Sequence, residues 1–155
     1  MHRLDPRLTP DWRPGDHPVG TPGLAYTTVL TRDRERAERI YADVLGGTVL
    51  HKGASALTGT DDTYVLLGDT VVQLSTPNTD GTIAAADLAA SNEIHHAAAF
   101  RVTDLDATAD YLTSHAITTV ARDEQTLVTD PATTHGVPFR WTTWDVPGGP
   151  RDRRR

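Results

Sequence analysis

Two stretches of this chain rhyme. Ile94-His95-His96-Ala97-Ala98-Ala99-Phe100-Arg101-Val102-Thr103 is a run of small, apolar and branched residues that stops at Asp104-Leu105-Asp106; Leu24 to Thr31 is a similar run that stops at Asp33. The two aspartates stand about half the chain apart. A strand closed by an aspartate able to cap a helix, met twice at that spacing, restricts the chain to a fold built from two like modules.

The residues after each aspartate continue the parallel. Asp33 caps a helix expected from Arg34 to Leu45, with Ala37, Ile40, Tyr41, Val44 and Leu45 on one face and Gly46-Gly47 to end it. Strands follow over Thr48 to Lys52, Thr63 to Leu67 and Val71 to Ser75, the last two joined at Gly68-Asp69. In the second half the strand Ile94 to Thr103 precedes a helix over Leu105 to Ser114. Strands over Ile117 to Ala121, Thr126 to Val128 and Phe139 to Val146 complete it. Each module reads βαβββ, so the fold class is α+β: two modules forming a cupped, partly open mixed sheet. Helices cover one face, and the bare faces close on a small ligand.

Residues 1–23 form an arm in which Pro6, Pro10, Pro14, Pro18 and Pro22 each remove a backbone donor, so it reads as extended, with Trp12 the residue suited to pin it. Residues 24–76 make the first module, 77–93 a linker with a short helix over Ile83 to Ala90, 94–146 the second module, and 147–155 a basic tail. Asp61-Asp62 reads as a solvated turn.

A net charge of −6 argues against nucleic acid, whose phosphates need a basic face. Without cysteine there is no thiolate metal site and no cysteine nucleophile. No apolar run approaches a membrane span, and the N-terminus lacks an apolar signal core, so the expectation is cytoplasmic with no membrane partner.

Three segments carry a family resemblance: Asp33 through Ile40-Tyr41-Ala42-Asp43-Val44-Leu45-Gly46-Gly47, then Ile94-His95-His96 to Asp104-Leu105, then Thr129-Asp130-Pro131 to His135-Gly136-Val137-Pro138-Phe139-Arg140-Trp141. Together they resemble the vicinal oxygen chelate superfamily, which includes glyoxalases, extradiol dioxygenases, methylmalonyl-CoA epimerases and bleomycin-resistance proteins. The pattern is nearest to the epimerase-like members. The resemblance implies a glyoxalase-like fold, with ligands to a metal on the first and last strand of each module.

Carried over one at a time, those ligands fall on Tyr26, Gln73, Arg140 and the His-His pair. Counting back from Asp104 reaches Ala97; matching the pair from its front gives His96 and needs a β-bulge. Without the bulge, alternation sends His95 and Arg101 inward. Arginine cannot bind a divalent cation. The expectation is no resident cofactor; a divalent metal, if one binds, takes His96 and Gln73.

The residues offered as catalytic are therefore His96 or His95 as base, Tyr26 as acid, and Arg140 with Gln73 as oxyanion stabilisers. Arg101, Trp141 and His51 are offered as substrate-binding. Trp141 and Trp144 lie on opposite faces of the last strand, so one lines the cup and one the core. The implied function is a metal-independent lyase, isomerase or cyclase working by proton transfer next to a carbonyl of a small organic substrate. A drug-sequestering binder of the same fold is the alternative, and a metal-dependent glyoxalase or dioxygenase the third reading. The expected partners are a small molecule and a second copy of the chain.

Overall fold

The rhyme between the two halves becomes a seam. In a computed structural model, which describes residues 17–150, β1 (Leu24–Leu30) and β5 (Ile94–Arg101) lie side by side and antiparallel. On the far side of β1 is β4 (Thr70–Pro77), parallel to it; on the far side of β5 is β8 (Arg140–Thr142), also parallel. Adding β2 (Thr48–Ser55), β3 (Thr60–Leu67), β6 (Thr119–Arg122) and β7 (Thr126–Thr129) gives one eight-stranded mixed sheet, ordered β2-β3-β4-β1-β5-β8-β7-β6. The two modules thus join within one chain.

Both aspartates cap as expected. Asp33 Oδ1 accepts from the Arg36 N–H at 2.9 Å, and Asp104 Oδ1 from the Ala107 N–H at 2.9 Å. They start α1 (Arg34–Arg39) and α3 (Leu105–Ser114), while α2 (Ile83–Ser91) fills the linker. α1 and α3 lie on the convex face, whereas α2 lies against the concave side, over the end of β1 and β5. α1 brings Ala37 onto Val65, Val72 and Leu74; α2 brings Ala84 and Leu88 onto Leu30; α3 brings Leu105 onto Val102 and Leu127, where Val19 also packs.

Three expectations need correction. The first helix is not regular to Leu45: Ile40–Val44 is a π turn, with the Leu45 N–H on the Ile40 carbonyl. The extra residue in that turn rotates the following side chains, so Tyr41 stays on the core while Val44 is 76% exposed and Ile40 and Leu45 also face outward. Gly46, at φ +72°, then reverses the chain, and Gly47 presses so close to the Tyr41 carbonyl and Val65 that no side chain fits. Second, β2 and β3 extend to Ser55 and back to Thr60, which puts Asp61 and Asp62 in a strand rather than a turn. Third, β8 spans only three residues. Beyond it the Trp144 N–H donates to Thr142 Oγ1, and the chain leaves the ladder over the cup. Most of the proline-rich arm, with Trp12, and residues 151–155 of the basic tail lie outside the described residues.

Candidate functional site

The four central strands bring Gln73 (β4), Tyr26 (β1), His96 (β5) and Arg140 (β8) to the concave side. A cleft of about 660 Å³ opens there. Its wall is aromatic: the rings of Tyr26 and Tyr64 meet edge to face at 5.3 Å, Trp144 lies 5.2 Å from Tyr64, and His51 sits 5.9 Å from both Tyr64 and Trp144. Its floor is polar. Gln73 Oε1 accepts from Arg140 Nη1 and from Thr28 Oγ1, each at 2.6 Å, and Gln73 Nε2 donates to the Tyr64 hydroxyl at 2.9 Å. These contacts fix which way the amide points.

Arg140 is the unusual member. It is 2% exposed, makes no ion pair with a carboxylate among the described residues, and its Nε–H finds no acceptor. A buried cation without a counter-charge is costly.

β5 carries the bulge that settles the histidine pair. Thr28 pairs with Ala97 and Val29 with His95, leaving His96 as the extra residue. His96 is 5% exposed, and its Nδ1 lies 2.9 Å from Asp87 Oδ2 of α2. It does not line the main cleft. It lines a second, smaller hollow of about 250 Å³ that shares Arg140, Leu57, Thr58 and Ala121 with the first. Burial first, then the nearby guanidinium of Arg140, push His96 down to about 4, while Asp87 opposes the shift. The ring is therefore neutral at pH 7. Burial, with Tyr26 and Asp62 adding to it, holds the Tyr64 phenol far above its ordinary range, so it stays a proton donor.

Three expected residues are placed elsewhere. His95 pairs opposite Val29 and is exposed on the face away from the cup, because the bulge turns it outward. Arg101 sits at the end of β5, where its Nε donates to Asp145 Oδ1 at 3.1 Å and its Nη1 to the Leu24 carbonyl at 3.3 Å; its charge is already matched away from the cleft. Trp141 faces the helix side, stacked on Phe100 at 5.0 Å and packed with Leu105 and Leu127, because it alternates with the inward Arg140. Trp144 takes the cleft position instead. His51 lies at the cleft, and Tyr26 is buried in its wall.

Sequence reading missed Asp62 and Tyr64. The tight turn at Gly68-Asp69 puts Tyr64 opposite Gln73 and Asp62 opposite Ser75, a register that counting outward from the turn would have found. Asp62 is 2% exposed, lines the cleft and accepts from Ser75 Oγ at 2.6 Å.

The profile of the glyoxalase/bleomycin resistance protein/dioxygenase superfamily matches residues 23–133. The chain belongs to this superfamily. Among solved structures it is similar to methylmalonyl-CoA epimerase from Mycobacterium tuberculosis, at 22% identity and a TM-score of 0.70 over 79% of this chain and 87% of that one. It is also similar to a Streptomyces coelicolor methylmalonyl-CoA epimerase in complex with 2-nitronate-propionyl-CoA, at 20% identity and a TM-score of 0.69 over 77% and 94%. At such identities the likeness speaks for the shared fold. No curated protein matches the sequence.

Among the described residues no three His, Cys, Asp or Glu come together as a cation site. Arg140 presents a cation where the last ligand belongs, and its Nη1 already holds the oxygen Gln73 has to offer. The donor set does not fit a divalent metal. No helix among the described residues is long and apolar enough to cross a membrane.

Proposed function

We propose that this protein is a metal-independent lyase, isomerase or cyclase that moves a proton next to a carbonyl of a small organic substrate, a 2-substituted acyl thioester or a β-dicarbonyl. The observation that supports it is the buried, anion-less guanidinium of Arg140 at the cleft floor. As a proton leaves the carbon beside a carbonyl, negative charge grows on the oxygen. A fixed guanidinium in a site shielded from water stabilises that oxygen where a metal otherwise acts.

Candidates to carry the proton stand on both sides of Arg140. Asp62, a buried carboxylate with no basic partner among the described residues, lines the main cleft. Neutral His96, whose Nδ1 is engaged by Asp87, lines the smaller hollow with Nε2 left as the acceptor. The Tyr64 hydroxyl, which burial keeps protonated, can donate a hydrogen bond to that oxygen. Two carriers on opposite sides suit an isomerase, which removes a proton from one face and returns it to the other.

The aromatic wall of Tyr26, Tyr64, Trp144 and His51 favours a second reading, a protein that sequesters planar drugs without turning them over. Incubation in D2O with a panel of 2-substituted acyl thioesters and β-dicarbonyls, followed by NMR, separates the two. Deuterium incorporation that Arg140→Met abolishes supports the catalytic reading. Exchange no faster than buffer across the panel leaves the binder. Elemental analysis should find no stoichiometric metal; a full equivalent of zinc, nickel or iron would overturn metal independence.

A further inference from the structure

The smaller hollow has a character of its own. Its walls are mostly apolar, with Ile83, Ala84, Val120, Val128 and Pro138 among them; Thr58 and Thr82 also line it, and the charged or titratable groups reaching it are Arg140 and His96. It meets the main cleft at Arg140, Leu57, Thr58 and Ala121, so a molecule whose oxygen rests on the guanidinium can extend one arm into each space. The two spaces differ in kind. The main cleft, of about 660 Å³, mixes aromatic rings with Asp62 and Gln73, and it accommodates a large polar portion. The hollow, of about 250 Å³, is closed on one side by α2, whose Ala84 is almost fully buried against Leu30.

We infer that the hollow is a specificity subsite for a compact apolar branch, a short alkyl chain or a phenyl ring, borne next to the carbonyl or carboxylate that Arg140 holds. This rests on the reading of Arg140 as the anion site. Size sets the class: at about 30 Å³ for a water-sized group, the hollow takes on the order of eight such groups, which admits a phenyl ring or a branched alkyl and excludes a long chain. Chemistry sets it too. The apolar side chains of Leu57, Ile83, Val120 and Val128 favour an apolar arm, whereas a charged arm would meet only the cation of Arg140 and neutral His96, with the hydroxyls of Thr58 and Thr82 as the remaining polar groups. Asp87 acts here as a positioning residue, because its hold on Nδ1 keeps the His96 ring at the edge of the hollow rather than swung across it.

Binding of straight-chain carboxylates from acetate to decanoate, followed by calorimetry on the full chain, tests this. Affinity should rise about fourfold per added methylene, the value of burying one such group, up to roughly six carbons, and then level or fall once the hollow is full. Ala84→Leu fills the hollow from α2, so the rise should stop two or more carbons earlier. Because Ala84 is buried and a larger side chain there strains the fold, Val120→Phe at the hollow's 47%-exposed edge provides a second block. Arg140→Gln should remove affinity for every member, acetate included. Acetate that does not bind the native protein overturns the anion site and this inference with it. Acetate that binds through Arg140, followed by affinities that ignore chain length or climb unbroken to decanoate in native protein and blocked variants alike, overturns the subsite alone.

Discussion

The two modules share an order of elements and little else. In the first, β2, β3 and β4 run eight residues each and raise a tall wall carrying Tyr64, Asp62 and Gln73. In the second, β6 and β7 run four residues and β8 three, leaving a low side of the cup. Their helices differ as well: α1 buries none of its residues fully and runs into a π turn, whereas α3 buries Leu105, Thr108 and Leu112. Most telling are the matching positions. The last strands of the two modules offer Gln73 and Arg140, which hydrogen-bond to each other across the seam. The first strands offer Tyr26 in one and, through a bulge, His96 in the other. Repetition places these four side chains together; the departures from repetition give them their chemistry.

The largest effect should come from removing the charge that only the second module carries. Arg140→Met should slow deuterium exchange by roughly 10²–10³-fold, the usual loss for one oxyanion donor. Its stability should hold or rise by about 1–4 kcal/mol, since an apolar side chain then replaces a buried, uncompensated cation. Denaturant unfolding beside the exchange rate checks both, and a variant that exchanges normally breaks the contrast between Gln73 and Arg140.

Next is the bulge. Folding lowers His96 from 6.5 to about 4, so the unfolded chain takes up this proton first as the solution is acidified. The stability involved is complete above pH 6.5 and is lost as the pH falls toward 4, by up to about 3 kcal/mol. Unfolding curves at a series of pH values should show that slope in the native protein and a flatter one in His96→Gln.

Gln73→Leu should follow in size. It leaves Arg140 Nη1, Thr28 Oγ1 and the Tyr64 hydroxyl without their shared partner, at a cost of about 1–3 kcal/mol measured by chemical denaturation. The smallest effect belongs to Trp141→Phe. The indole N–H is buried without an acceptor, and a phenyl ring keeps the stack on Phe100, so stability should change by less than about 1 kcal/mol and ligand affinity not at all. Trp144→Ala, by contrast, should weaken binding of planar ligands by titration, for this ring lies on the cleft.

What the sequence disclosed follows the range of the forces involved. The caps at Asp33 and Asp104, the glycine stop at Gly46-Gly47 and the turn at Gly68-Asp69 are local, and each was readable within a few residues. Tyr26, Gln73 and Arg140 were reached through the family resemblance, which carried the ligand positions onto them, and all three lie at the cleft. The reading faltered where a count was interrupted. The bulge left His95 and His96 open as alternatives, and an overlong last strand left Trp141 and Trp144 interchangeable. The π turn sent Ile40, Val44 and Leu45 outward against a regular helical face. Asp62 was hidden by its neighbour, since two adjacent acids suggest a solvated turn until the β3–β4 register buries Asp62 and leaves Asp61 half-buried.

The seam between β1 and β5 has a further consequence. Its hydrogen bonds and side-chain contacts are all made between one module and the other, so two chains exchanging modules could satisfy every one of them without a new contact. The choice rests with the connection through α2. A tether that short holds the second module near the first at an effective concentration of about 1 mM. At micromolar protein the closed single chain is then favoured by roughly a thousandfold, and exchanged pairs gain ground only as the solution approaches the concentration the tether already imposes.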